Sequence, residues 1–332
     1  MIECVAPGIY SILIPLPGNP LKSLNSYLIK KAGPGSRNLL IDTGFRMDAC
    51  RQAMDEALES LHIHMDETDI FLTHVHSDHT GLAPDLAGPD TKVFLSGYDR
   101  TRLPGKLCEL DWDKSDAFFL SHGFPQAELR EVAAKNPARA WMPAAYDDYI
   151  EIRDGDLFRY GGYALEAVET PGHTPGHMCL FDRESGVMFC GDHVLFDITP
   201  NITCWQNFPN ALGAYLESLK KVAAYPVRLP LPGHRAVHCS FSERITQLQV
   251  HHAKRCREVL QILHSLPQGE ALSAYTITSR MTWRIRCNSW ADFPSAQKWF
   301  AVGEAIAHLE YLESLQQVSR LRDGDSVLFQ AV

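Results

Sequence analysis

The chain has 332 residues, 45% of them hydrophobic and 21% charged, enough to bury a sizeable core in one large domain and a smaller one. A formal net charge of −9 argues against a broad basic surface for nucleic acid or an anionic membrane, so a small-molecule substrate is the expected partner. Nine cysteines without a CxxC pair or a framework spacing indicate reduced thiols and a cytoplasmic protein.

The N-terminal stretch carries Glu3 where a secretory signal needs positive charge, and Pro7, Pro15 and Pro17 interrupt its apolar run, so neither a signal peptide nor a membrane span is predicted. Residues 5 to 43 alternate short apolar runs with Pro, Gly and Asn clusters, which predicts a small sheet. Met47 to Leu61 has a helical period, and a short strand, Asp69 to Leu72, follows it. After a strand at Lys92 to Leu95, residues 97–148 turn helix-like and read as a helical insert containing Trp112, Phe118, Phe119, Trp141 and Tyr146. Tyr149 to Arg153, Phe158 to Val168, Met178 to Asp182 and Val187 to Cys190 predict a second sheet, with turns at Asp154-Gly155-Asp156 and Gly161-Gly162. Ser242 to Leu263 and Ser295 to Gln316 predict long helices, and a strand-like tail, Asp325 to Val332, closes a small, mostly helical C-terminal domain. The expected boundaries are 1–245 for the larger domain and 246–332 for the smaller, with a linker near Ser265 to Glu270.

Thr73-His74-Val75-His76-Ser77-Asp78-His79 packs three imidazoles and a carboxylate into six positions directly after an apolar strand, a density that core packing does not explain. Side-chain alternation puts His74 and His76 on one side, and a tight turn brings Asp78 and His79 round a second point, so one loop can serve two adjacent metals. Such sites need further ligands. The candidates are His173 in Thr170-Pro171-Gly172-His173, Asp192 in Cys190-Gly191-Asp192 and His234 in Pro232-Gly233-His234, each at the end of an apolar run and preceded by a Gly that lets the backbone come close.

These four motifs, in this order, resemble those of the metallo-β-lactamase superfamily, and Glu169 to His177 resembles its glyoxalase II branch; the likeness spans roughly residues 5 to 240. The resemblance implies an α/β fold, a four-layer αββα sandwich. It implies that His74, His76 and His173 hold one metal, that Asp78, His79 and His234 hold a second, and that Asp192 bridges them. Two divalent ions are implied, zinc first, with iron or manganese also compatible. Metal-activated water would cleave a small ester, thioester or lactone, as in hydroxyacylglutathione hydrolysis, with Asp78 as the catalytic residue that holds the water and moves its proton. Members that reduce oxygen or nitric oxide carry Glu where this chain has His76, which favours hydrolysis. A metal-dependent nuclease, a mononuclear iron sulfur dioxygenase and a binding protein with purely structural metals are the alternatives.

Around that set, His177 reads as a residue supporting the ligands or packing the sheet, His193 as divided between a substrate-facing and a structural role, and Asp42 as the group that orients a ligand histidine. The aromatic residues of the insert read as its own small core, with an apolar lid as the rival. His251 and His252 read as helix residues packing on the larger domain. The segment Phe300 to Leu312 and the tail beyond it resemble the winged-helix-like C-terminal domain of some hydrolases of this superfamily; its Glu304, Glu310, Glu313 and Asp323 disfavour phosphate contact, and a dimer contact is compatible.

Overall fold

In the computed structural model, which describes residues 1–283, 287 and 289–332, the period-two runs at the start of the chain become β1 (Ile2–Ala6), β2 (Ile9–Pro15), β3 (Ser23–Ile29) and β4 (Asn38–Ile41). These join β5 (Thr68–Phe71), β6 (Val93–Ser96) and β7 (Tyr149–Ile152) in a seven-stranded sheet in sequence order. The expectation that Tyr149 to Arg153 opens the second sheet is therefore corrected: β7 pairs in parallel with β6, Val93 opposite Tyr149. A parallel neighbour needs a crossover connection, and the 97–148 segment is long enough to make one. The second sheet has the order β12-β11-β10-β9-β8, built from β8 (Leu157–Tyr160), β9 (Tyr163–Glu169), β10 (Met178–Asp182), β11 (Val187–Gly191) and β12 (Leu229–Pro232).

Alternate residues of both sheets face one core: Tyr27 and Ile29, Leu39 and Ile41, Leu165 and Ala167, Met178 and Leu180, Val187 and Phe189. The Val, Leu, Ile, Phe and Met side chains among them, taken fully out of water, contribute about 1.5–3 kcal/mol each. The intervening residues Leu28, Leu40, Phe181 and Met188 are also fully buried, so both sheets are covered on their second faces. Helix α1 (Asp48–Ser60) buries Cys50, Met54, Ala57 and Leu58, and Tyr225 sets its ring edge-on to Phe181 at 5.0 Å. The result is the expected α/β, four-layer αββα sandwich. Strands β4 and β5 run parallel, as do β11 and β12, and β9 runs with β11 because β10 opposes both. Their carboxyl ends thus leave each sheet at one edge, where loops can collect side chains around a point.

Short helices α2 (Ser77–Thr80), α3 (Ala83–Leu86) and α4 (Gly97–Arg100) follow β5 and β6. The insert continues as α5 (Trp112–Ser121), α6 (Gln126–Lys135) and α7 (Pro137–Ala140); then come α8 (Ala211–Ala223), which the sequence pattern did not reveal, α9 (Phe241–His264), α10 (Ala274–Arg280) and α11 (Ser295–Ser314). Strands β13 (Leu272–Ser273), β14 (Val318–Asp323) and β15 (Ser326–Ala331) form a third sheet in the order β13-β15-β14.

The chain divides into two compact units: Met1–Leu110, Trp141–Pro200 and Ser218–Ile245 in one; Asp111–Ala140, Asn201–Glu217 and Thr246–Val332 in the other. The middle of the insert thus clusters with the C-terminal segment. Its aromatics do not form a core of their own: Phe119 stacks on Trp299 at 4.9 Å and Phe124 meets Tyr275 at 5.5 Å. His252, expected on the larger domain, lies in the second unit against His308 and Tyr215. No helix among the described residues is long and apolar enough to cross a membrane.

Candidate metal centre

Every residue named from the four motifs sits at a strand end of the first unit. Asp42 follows β4; Thr73 to His79 follow β5; Thr170 to His177 follow β9; Asp192 follows β11; His234 follows β12. The turn expected at Asp78 and His79 is the helical turn α2, for which extended His76 is the N-cap; it swings Asp78 and His79 away from the line of His74 and His76.

The structure brings all seven candidate ligands together. Three donor sets, each with its ligand atoms within 4.8 Å of one another, are His74–His76–His173, His74–His79–Asp192 and Asp78–His79–His234. His76 Nδ1 lies 3.0 Å from both His74 Nε2 and His173 Nε2. Asp192 faces both sides: Oδ2 is 3.6 Å from His173 Nε2 and 3.5 Å from His234 Nε2, and Oδ1 is 3.6 Å from His79 Nε2. Asp78 Oδ2 is 3.3 Å from His234 Nε2. Ligands at about 2.1 Å from a common cation are separated by roughly 3–3.5 Å, which is this spacing.

Hydrogen bonding outside the cluster sets the tautomers. His234 Nδ1 is 2.7 Å from the Ser23 carbonyl, which only accepts, so the proton is on Nδ1 and the Nε2 lone pair faces inward. His79 Nδ1 donates to Asp42 Oδ2 at 2.7 Å, with the same result. Thr73 gives its hydroxyl proton to Asp42 Oδ2 (2.8 Å) and accepts from His74 Nδ1 (3.0 Å), so His74 Nε2 also points a lone pair at the centre. His79 Nε2 and Asp192 Oδ1 are buried and have no hydrogen-bond partner among the described residues. Convergent lone pairs without donors to answer them are what a divalent cation satisfies, and the histidine and carboxylate donor set fits one.

Where no metal ion is bound, a proton is the other cation that can answer these carboxylates, and the electrostatics show the demand for one. Burial alone would lower the His79 pKa, but Asp42, Asp192 and Asp78 outweigh it and raise it to about 10. His76 is pushed down to about 3 by burial and then by His173. Burial would raise the Asp78 carboxyl, yet His79 and His234 hold it below the usual carboxylate range. The cluster carries excess negative charge near His79 and excess imidazole near His76, the two faces of one charge-starved site.

The supporting residues separate clearly. Asp42 accepts from His79, the Thr73 amide (2.9 Å) and the Thr73 hydroxyl; with φ +59 it adopts the left-handed conformation that Asp tolerates. His177 uses both ring nitrogens, with Nδ1 on Thr170 Oγ1 (2.8 Å) and Nε2 accepting the Asp192 amide (3.1 Å), so it supports the carboxylate and has no lone pair to spare. His193 is fully buried, and burial holds it near pKa 3. Gly233 is required by space, since a Cβ there would lie 2.6 Å from Asp192 Oδ1. Sequence reasoning missed Ser23, Asn25 and Tyr27 of β3, whose carbonyl, amide and phenol hold the His234 loop: Asn25 Nδ2 donates to the Pro232 and Arg235 carbonyls and Tyr27 to that of Pro232. It also missed Asp99.

A family model described as the metallo-beta-lactamase superfamily matches residues 20–97 and 113–234, more than half of the chain, and one described as a metallo-beta-lactamase-like C-terminal domain matches 292–331. Among curated relatives, an atrochrysone carboxyl ACP thioesterase of Aspergillus novofumigatus is 27% identical over 79% of this chain, and a lactamase-like protein of Neosartorya fischeri is 30% identical over 75%. The chain spans 65% and 60% of the length of these two relatives. Among solved structures, a metallo-beta-lactamase family protein of Thermus thermophilus superposes with a TM-score of 0.80 at 28% identity, over 99% of this chain and 100% of that one. A beta-lactamase domain protein of Burkholderia ambifaria gives 0.81 at 26% identity, over 100% and 93%.

Proposed function

We propose that this chain, which belongs to the metallo-β-lactamase superfamily, is a metal-dependent hydrolase of small acyl thioesters, with its chemistry carried by residues 1–245. The observation that carries the reading is the set of inward lone pairs on His74, His79 and His234, each fixed by a donor hydrogen bond on the far side of its ring. Relatives named as thioesterases support the thioester class. We assign His74, His76 and His173 to one divalent ion, Asp78, His79 and His234 to a second, and Asp192 to both, with zinc first and iron or manganese also compatible. Bound there, such ions supply Lewis acidity, which lowers the pKa of water and polarises a carbonyl.

The protein's own part is orientation and proton traffic. The His177–amide contact fixes the main chain at Asp192 and the turn of α2 fixes it at Asp78, so both carboxylates are carried by a set backbone as charge moves. Asp78 stays ionised across the neutral range and lies beside His234; it is the group to hold an attacking water and accept its proton. Asp42 keeps His79 and His74 in the tautomers that leave Nε2 free.

The test is elemental analysis of protein purified without added metal, with a hydrolysis panel of pantetheine and glutathione thioesters, simple esters and lactones before and after chelation. Thioester turnover lost on chelation and restored by metal is the expected result. Metal-replete protein that hydrolyses none of the panel overturns the reading.

A further inference from the structure

Asp99, on α4, is fully buried and lies outside all four motifs. Its Oδ2 accepts from the amide of Val75 (2.8 Å), between His74 and His76, and from the hydroxyl of Thr174 (2.9 Å), next to His173. Its Oδ1 accepts from the amide of Gly176 (3.0 Å). One carboxylate thus binds the β5 loop and the β9 loop. Space is tight enough that a Cβ on Gly176 would stand 2.7 Å from Asp99 Oδ1 and closer still to Ser96 Oγ, the hydroxyl that caps the Asp99 amide (3.2 Å). The other ligands have different anchors: Asp42 for His79, the Ser23 carbonyl for His234 and His177 for Asp192.

We propose that Asp99 is a positioning residue for the His74–His76–His173 half of the centre, setting the distance between two loops so that their imidazoles meet one cation. The inference rests on the metal assignment above. It predicts a selective effect, because the loops Asp99 joins carry one donor set whole and contribute less to the other. An Asp99→Asn side chain has the same shape but one acceptor oxygen. With that oxygen toward Val75 and Thr174, its NH2 group faces the Gly176 amide; turned over, it faces the Val75 amide. Either way a loop N–H loses its acceptor and the two loops separate.

The experiment loads full-length wild type, Asp99→Asn, Asp99→Ala and Thr174→Val with cobalt(II) alone and reads the absorption spectrum together with competition against a chelating dye. His173→Ala identifies the metal equivalent that belongs to the three-imidazole half. Asp99→Asn should bind that equivalent about tenfold more weakly and Asp99→Ala up to about a hundredfold, with its spectrum altered and the second equivalent unchanged within about twofold. Thr174→Val, which removes one of the three contacts, should fall between wild type and Asp99→Asn. Should Asp99→Ala fail to fold, the isosteric variant carries the test. Equal weakening of both equivalents, or no weakening of either, overturns the role of Asp99 and leaves the hydrolase reading standing. A wild type that binds no metal overturns that reading, and this inference with it.

Discussion

In the second compact unit, His308 donates from Nδ1 to the Glu304 carbonyl (2.7 Å) and accepts at Nε2 from His252 Nδ1 (3.2 Å). Arg255 reaches Glu304 (3.3 Å), Glu258 (2.6 Å) and the Thr282 carbonyl (2.9 Å), with its guanidinium 4.1 Å over the Trp283 ring. In the first unit, acceptors on the outer side of three imidazoles hold the ring protons outward, so the inner nitrogens present lone pairs to one another and to carboxylates. Both regions bury histidine beside acid, and both use the backbone to set a tautomer. One chains donor to acceptor; the other accumulates acceptors. Density of histidine therefore says little by itself, whereas the direction of its protons separates a structural network from a site built for a cation.

The largest break in that comparison comes from charge at the centre. Asp78→Asn should lower kcat/KM for a thioester by about 10²–10⁴-fold while the protein still unfolds in one cooperative transition; wild-type turnover by this variant would remove Asp78 from the chemistry. Arg255→Ala should do the reverse. It strands Glu304 and Glu258 without their shared cation, a loss of about 3–5 kcal/mol of unfolding free energy by denaturant titration, with kcat/KM of the folded fraction unchanged. If Arg255→Ala instead abolished turnover at full stability, the network would have to be counted as part of the active site.

The candidate ligands are legible in the sequence because each motif begins where an apolar run stops, and a histidine there has no packing reason to exist. The αββα layering is legible only through the resemblance those motifs carry, because β4, β10 and β11 are buried on both faces and their sequence marks neither side as the one toward the shared core. Asp99 is not. Ser96-Gly97-Tyr98-Asp99 looks like an ordinary capped helix start, and Ser96 does cap the Asp99 amide; nothing local shows that the carboxylate points back to Val75, Thr174 and Gly176. Ser23, Asn25 and Tyr27 are hidden in the same way, since their partners lie some two hundred positions later in the chain. The sheet membership of β7 is lost because a four-residue strand carries no mark of its neighbour.

Asp42→Asn sharpens the comparison from the first unit's side. Asn keeps the left-handed backbone, so the change isolates the carboxylate, which accepts from His79, the Thr73 hydroxyl and the Thr73 amide. An amide group there can donate toward His79 Nδ1 and turn the ring's proton inward. Metal affinity should fall about 10–100-fold in a chelator competition, with turnover partly restored by excess metal. Retention of metal at the wild-type level would mean that the tautomers of His79 and His74 are not set by Asp42.

The smallest effect is a slope with pH in the second unit. Burial holds His308 near pKa 3, below the ordinary histidine value of about 6.5, and burial and His308 hold His252 well below it too. The unfolded chain therefore takes up protons at these positions as pH falls through about 6.5, while in the folded unit His308 does not until pH approaches 3 and His252 stays neutral well below its ordinary value. With more protons bound in the unfolded state, unfolding free energy rises with pH across that window and is lost as the solution is acidified. Hydrogen exchange at the α11 amides should accordingly speed up from pH 7 to pH 5 once corrected for the intrinsic rate, and His308→Gln should flatten that dependence. Glutamine there cannot be protonated and still offers a donor to the Glu304 carbonyl, so the flattening reports titration and not a lost contact. An unchanged slope in His308→Gln would mean that the buried pair does not set the acid limit of this unit, and that its donor-to-acceptor chain tolerates charge.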